Sequence, residues 1–151
     1  MIRISLLGAD ISKERALLDS QPGFALTVLE LGDFDQMLDN ISQSRPEILI
    51  ISDVGANIDA DDLCLHTFLR HPDIKTLIIT EHDADYARLD ATGFSCKGFM
   101  LHEQRHAIVR AVRVINDGEA WLSRKLVTAV MDHLATAAMA QRRKPQLVKK
   151  G

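Results

Sequence analysis

Ser52, Asp53, Thr80 and His102 stand directly after apolar runs, and Gly8-Ala9-Asp10 follows another. Residues of these types support several chemistries. A serine hydroxyl with a histidine base and a carboxylate can run acyl transfer. Ser52 and His102 supply the first two parts of a serine hydrolase, but no Gly-x-Ser-x-Gly elbow or oxyanion loop surrounds Ser52. Asp10 and Asp53 can hold a hard divalent cation such as Mg²⁺, and Asp53 can accept a phosphoryl group as a carboxylate nucleophile. Asp59, Asp61 and Asp62 lack the Gly and distal Glu of a calcium loop and read instead as acids favouring a helix N-terminus. Among six histidines, His102 and His106 form the one i, i+4 pair, with no Glu or Cys at matching positions. Cys64 and Cys96 are too few for a disulfide scaffold and read as reduced, buried thiols.

The elements that position these residues follow from the pattern of apolar runs. Ile2–Leu7 reads as a buried strand ending at Gly8, and Ser12 as the N-cap of a short helix over Lys13–Asp19. Phe24–Leu31 is a second strand. Asp33–Gln43 carries Phe34, Met37, Leu38 and Ile41 at helical spacing, and Pro46 breaks it. Ile48-Leu49-Ile50-Ile51 has no alternation, which marks a central parallel strand covered on both faces. A loop over Asp53–Ala60 leads to a helix over Asp61–Arg70, ended by His71-Pro72-Asp73. A strand over Thr76–Thr80, a weak helix over Ala84–Ala91 and a short strand over Gly98–Leu101 follow. Glu103–Asn116 is a helix with Ile108, Val109, Val112 and Ile115 on one stripe, and a last helix runs from a Ser123 cap to about Gln141. Trp121 reads as a packing anchor where that last helix folds back. Five strand–helix alternations predict a parallel sheet with helices on both faces, and ligands in such folds bind at the carboxyl ends of the strands. Those ends carry the polar residues named first.

The chain's 151 residues make one domain of globular composition, 46% apolar and 26% charged. No apolar run reaches the roughly 18 residues that span a bilayer. The chain enters strand-like sequence at once, which points to no secretory leader and to a cytoplasmic protein. Net charge is −3, and Arg142, Arg143, Lys144, Lys149 and Lys150 sit in the last eleven residues without an acid, so residues 1–140 carry −8. The expected organisation is a domain over 1–121, a linker helix over 122–140 and a basic linker or tail over 141–151.

Four pieces in order carry a resemblance. They are Pro46-Glu47-Ile48-Leu49-Ile50-Ile51, His71–Thr80, Gly98-Phe99-Met100-Leu101 and Gly118-Glu119-Ala120-Trp121-Leu122-Ser123. Together they resemble the receiver domain of LuxR/NarL-type response regulators. The resemblance implies a CheY-like (flavodoxin-like) α/β fold with a five-stranded parallel sheet, helices on both faces and a C-terminal linker helix. It makes Thr80 the switch hydroxyl and Phe99 the aromatic switch residue, with His102 where the family has an invariant Lys. Ser52 takes the position of the phosphoacceptor Asp, and Gly8 and Ala9 those of the metal-binding acids. Asp10 and Asp53 each lie one residue beyond the family's acids. The resemblance therefore implies a rewritten site, described as a vestigial pocket of Gly8, Ala9, Asp10, Thr80 and His102. No catalytic residue, metal or cofactor is expected. The alternative is a phosphorylatable Asp53 with Mg²⁺ held by Asp10 and Asp53. It also implies a homodimer, with Arg105, Arg110 and Arg113 on one possible face and no membrane association. A histidine kinase or a small-molecule ligand is a further partner, and DNA binding would come only through a C-terminal helix-turn-helix domain that this chain does not contain.

Overall fold

The computed structural model describes residues 1–148, with side chains described through residue 143. Five parallel strands, β1 (Ile2–Leu7), β2 (Phe24–Val28), β3 (Ile48–Ser52), β4 (Lys75–Thr80) and β5 (Cys96–Leu101), pair in the order β2-β1-β3-β4-β5. This is the expected CheY-like sheet. All five residues of β3 are buried, because helices cover both faces of this central strand. On one face Met37, Leu38, Ile41, Leu63 and Leu89 come from α2 (Phe34–Ser44), α3 (Ala60–Arg70) and α4 (Tyr86–Ala91). On the other, Leu18 comes from α1 (Ser12–Asp19), and Ile108, Val112 and Ile115 from α5 (Ile108–Asn116). The long α6 spans Arg124–Val148.

Several boundaries differ from the sequence reading. Ser12 is the first helical residue of α1 and not its cap; Ile11 stands at the cap, with no side-chain hydrogen bond there. Strand β2 stops at Val28, three residues early, although Leu29 N–H still donates to Leu6 O at 2.9 Å. The single helix expected over Glu103–Asn116 is two elements, a 3₁₀ turn over His102–Ala107 and then α5. The α6 helix does begin at a Ser123 cap, whose Oγ accepts from Leu126 N–H at 3.1 Å. It continues past Gln141 to Val148, so the segment expected as a linker after residue 140 is helical backbone that far. Lys149, Lys150 and Gly151 lie outside the described residues.

Two local devices set the geometry of the strand ends. Asp33 and Gln36 form a reciprocal capping box at the start of α2, with bonds of 2.8 and 3.0 Å. Residues 118–121 run back along the free edge of β5. Trp121 N–H donates to Lys97 O at 2.9 Å and Phe99 N–H donates to Trp121 O at 3.0 Å. This pairing covers an edge that would otherwise expose unpaired backbone. Trp121 is thus the anchor the sequence suggested, with the Arg110 guanidinium 5.8 Å from its ring centroid. No helix among the described residues is long and apolar enough to cross a membrane.

Candidate functional site

At the carboxyl end of β3, Ser52 is fully buried and its Oγ has no hydrogen-bond partner among the described residues. It therefore makes no bond to His102, so neither a hydrolase pair nor a polar link across the pocket is assembled. The neighbouring strand end is tightly packed. Gly8, at the end of β1, packs so closely that a Cβ on it would stand 2.9 Å from Ser52 Cβ and 2.8 Å from Ile11 Cγ2. A side chain at position 8 has no room at this strand end.

Asp53 leaves the strand with its N–H donating to Ile79 O at 3.1 Å, and its carboxylate meets Arg88. Arg88, on α4, is the organiser of this end of the sheet. Its Nη2 donates to Asp53 Oδ2 at 3.1 Å and to Asp61 Oδ1 at 2.7 Å, and its Nε to Asp61 Oδ2 at 3.1 Å. Its Nη1 donates to Thr80 Oγ1 at 2.8 Å, and its guanidinium carbon stands 5.4 Å from the Phe99 ring centroid. One side chain thus ties Thr80 and Phe99 to two carboxylates. Burial opposes the Arg88 charge, but the hydrogen bonds and charges of Asp61 and then Asp53 outweigh it and hold its pKa above the ordinary value. Asp61 and Arg88 are respectively 16% and 26% exposed at the side chain, so the pair is screened far less than a surface pair.

A second cluster forms beside the end of β1. The 3₁₀ turn eclipses residues three apart, and this stacks Arg105 on His102. Arg105 Nη1 donates to His102 Nε2 at 2.7 Å, which requires an acceptor nitrogen there. Asp10 Oδ2 lies 3.6 Å from His102 Nε2 and 3.7 Å from Arg105 Nη1. Glu14 is fully buried on α1, its nearest cation Arg105 Nη1 at 3.9 Å and neither carboxylate oxygen hydrogen-bonded. Ala9 is exposed and contributes no polar side chain.

These residues do not fit a Mg²⁺ ion. Positions 8 and 9 offer no side-chain oxygen, Asp53 is held by Arg88, and Asp10 faces the His102–Arg105 pair. Among the described residues no group of three His, Cys, Asp or Glu side chains is arranged to hold a metal. Asp59 caps α3 by accepting from Asp62 N–H at 3.1 Å, and Asp62 lies 3.4 Å from His66, so the three acids have separate structural partners.

The arginines expected on one possible dimer face are engaged within the chain. Arg105 turns into the pocket, and Arg110 lies over Trp121. Arg113 donates to Gln21 Oε1 at 3.1 Å and lies over Phe24. A cavity of about 250 Å³ opens at this end of the sheet, with Thr80, Phe99, Trp121, Ser123 and Leu126 in its wall.

Sequence reading missed Arg88 and Glu14. Glu14 was detectable: Ile11, Glu14 and Leu18 share the inward stripe of α1, so a charged residue stands at an apolar position. Arg88 had no such signal, because nothing in the spacing links it to Asp61, 27 residues earlier.

A five-stranded parallel sheet in this order, with Thr80 at the end of β4 and Phe99 within β5, is the CheY-like fold on which response-regulator receiver domains are built. No protein-family model matches the chain. It is 25% identical over 139 residues to the DNA-binding transcriptional activator DevR/DosR of Mycobacterium tuberculosis (strain ATCC 25618 / H37Rv). That match covers 91% of this chain and 58% of that protein, so the chain spans little more than half the length of its curated relative. Among solved structures it is similar to a LuxR-family two-component response regulator from Aurantimonas sp. SI85-9A1, with TM-score 0.71, 19% identity, and 89% and 99% of the two chains covered. It is also similar to the receiver domain of the response regulator NarL from Mycobacterium tuberculosis, with TM-score 0.63, 18% identity, and 78% and 98% covered. These structural likenesses show the fold.

Proposed function

We propose that this chain is the receiver module of a transcriptional regulator and relays its state without aspartyl phosphorylation. The observation that carries the reading is Arg88. Here Thr80 Oγ1 already has a charged hydrogen-bond donor at 2.8 Å, and that donor is fixed by Asp53 and Asp61. Charge-assisted hydrogen bonds of this kind contribute roughly 1.5–3 kcal/mol each. The hydrogen bond to Thr80 and the contact on Phe99 are thus made without a phosphoryl group. A buried Ser52 hydroxyl without a base is a poor phosphoacceptor, and Asp53 would have to leave its arginine to act as one.

In this reading the output is a binding surface and not a reaction. The module dimerises or docks a partner, and a DNA-binding domain of the kind implied by the relative's name would lie outside this chain. Homodimerisation, a small-molecule ligand and a cytoplasmic location belong to the same proposal; a histidine kinase belongs to the alternative in which Asp53 is the acceptor.

Intact mass after incubation with acetyl phosphate and Mg²⁺ tests it. The expected outcome is no added phosphoryl group at saturating donor. A single phosphoryl group on the parent chain, absent from Asp53→Asn, would overturn the reading and make Asp53 the acceptor.

A further inference from the structure

The two cysteines lie far apart in sequence and meet in one core. Cys64 is on α3 and Cys96 opens β5; both are buried in the cluster beneath α2, α3 and α4. Cys64 Sγ stands 3.5 Å from Ser95 Oγ, the residue that precedes Cys96, and the two cysteines belong to the same buried cluster. Cys96 Sγ donates to Gly98 O at 2.9 Å and lies 3.6 Å from Thr76 O. Ser95 and Thr76 therefore hold the thiols from both sides. We infer that Cys64 and Cys96 are the site of an intramolecular disulfide, formed by reaction with a hydroperoxide, that ties α3 to β5.

The environment assigns the roles. Hydrogen bonding from Cys96, then from Ser95 and Thr76, lowers the Cys64 pKa against the opposing effect of burial. Burial, then the hydrogen bond and charge of Cys64, pushes Cys96 well up. Cys64 is therefore the nucleophile and Cys96 the resolving thiol. The Cys64 thiolate attacks the terminal hydroperoxide oxygen, the O–O bond breaks, and Cys64 sulfenic acid and an alcohol (or water) form. Cys96 sulfur then displaces water from the sulfenic sulfur to give the S–S bond. Two thiols lose two electrons and two hydrogens, the hydroperoxide is reduced, and the products are the disulfide, the alcohol and water.

The route in is the turn between α4 and β5. Gly93 and Phe94 both adopt left-handed backbone there, with φ of 67° and 58°, and Phe94 is exposed. Left-handed backbone costs energy at Phe94, unlike at Gly93, so this is a place for local opening. The cross-link would reinforce the Arg88 arrangement, because α3 also carries Asp61 and β5 carries Phe99. It does not depend on how position 53 behaves.

The test treats the native chain with hydrogen peroxide, quenches, denatures and alkylates. The expected product is lighter by two hydrogens and has no alkylatable thiol. Its digest joins the peptide containing Cys64 to that containing Cys96, and dithiothreitol restores both thiols. Cys96→Ala should stop at a sulfenic acid on Cys64 that dimedone captures. Two thiols still alkylatable after peroxide, or oxygen added to each sulfur without a cross-linked peptide, would overturn the inference on the parent chain alone, even if the variant fails to fold.

Discussion

Gly8 shows how a single position can close a site. With no side chain, it lets β1 end against Ser52, and any Cβ there meets Ser52 Cβ at 2.9 Å and Ile11 Cγ2 at 2.8 Å. Both neighbours are buried, so neither can move cheaply. Gly8→Ala should therefore cost about 1–3 kcal/mol by overpacking, measured as a lower urea midpoint at unchanged slope. An unchanged midpoint would mean that the strand ends have room for a longer side chain. By the same packing, an acid placed at position 8 would have no room for its side chain beside Ser52. At this scale the sequence was informative where spacing carries the signal. Thr80, Phe99 and His102 fall at positions counted from one another, and the structure places them at the ends of β4 and within or just after β5. It was silent where a residue's role depends on tertiary approach. Ser52 reads as a possible nucleophile until Gly8 is seen against it, and Arg105 as a surface cation until the 3₁₀ turn stacks it on His102.

Among the elements, α4 is the one whose placement rests most on a single polar side chain. It has six residues, one buried side chain, Leu89, and an Asp85 cap that accepts from Arg88 N–H at 3.0 Å. A helix this short has little stability of its own, so its position follows from what it touches. Arg88 supplies the bonds to α3, through Asp61, and to β4, through Thr80. Replacing it by Met keeps much of the aliphatic stem and leaves Asp61 and Asp53 without their cation. Arg88→Met should lower stability by about 1–3 kcal/mol. It should also loosen α4 selectively, so that amide exchange at residues 86–91 accelerates more than in β3. Uniform acceleration across the sheet would show that α4 is held by Leu89 and not by the arginine. The weak helix over Ala84–Ala91 was legible as weak from its composition. What holds it was not, because a pair separated by 27 residues leaves no periodic trace. The 3₁₀ turn was also hidden, since the stripe from Ile108 to Ile115 reads as helical and the residues before it carry no breaker.

For the whole molecule the question is what α6 contributes. Its attachment is confined to its first turns. Leu126 is buried, Val130 packs on the same core, and His133 stacks on Tyr86 with ring centroids 3.6 Å apart. From Met131 to Arg143 every residue is exposed, including Met131, Leu134 and Met139 at more than half of their surface. Beyond His133 the described helix packs no buried side chain, and such a stretch is marginal in water on its own account. It adds next to nothing to the stability of the domain it leaves. A chain ending at Ala135 should thus melt within about 2 °C of the full chain, since a change of 1 kcal/mol moves a domain of this size by a few degrees. Leu126→Ala, which empties a filled position in the core, should cost about 2–4 kcal/mol and lower the transition clearly. The pair of measurements separates the two halves of the helix. If truncation lowers the melting temperature by more than Leu126→Ala does, the distal half is covered in solution by another surface. The melting temperature of the full chain would then rise with protein concentration if that surface is a second copy.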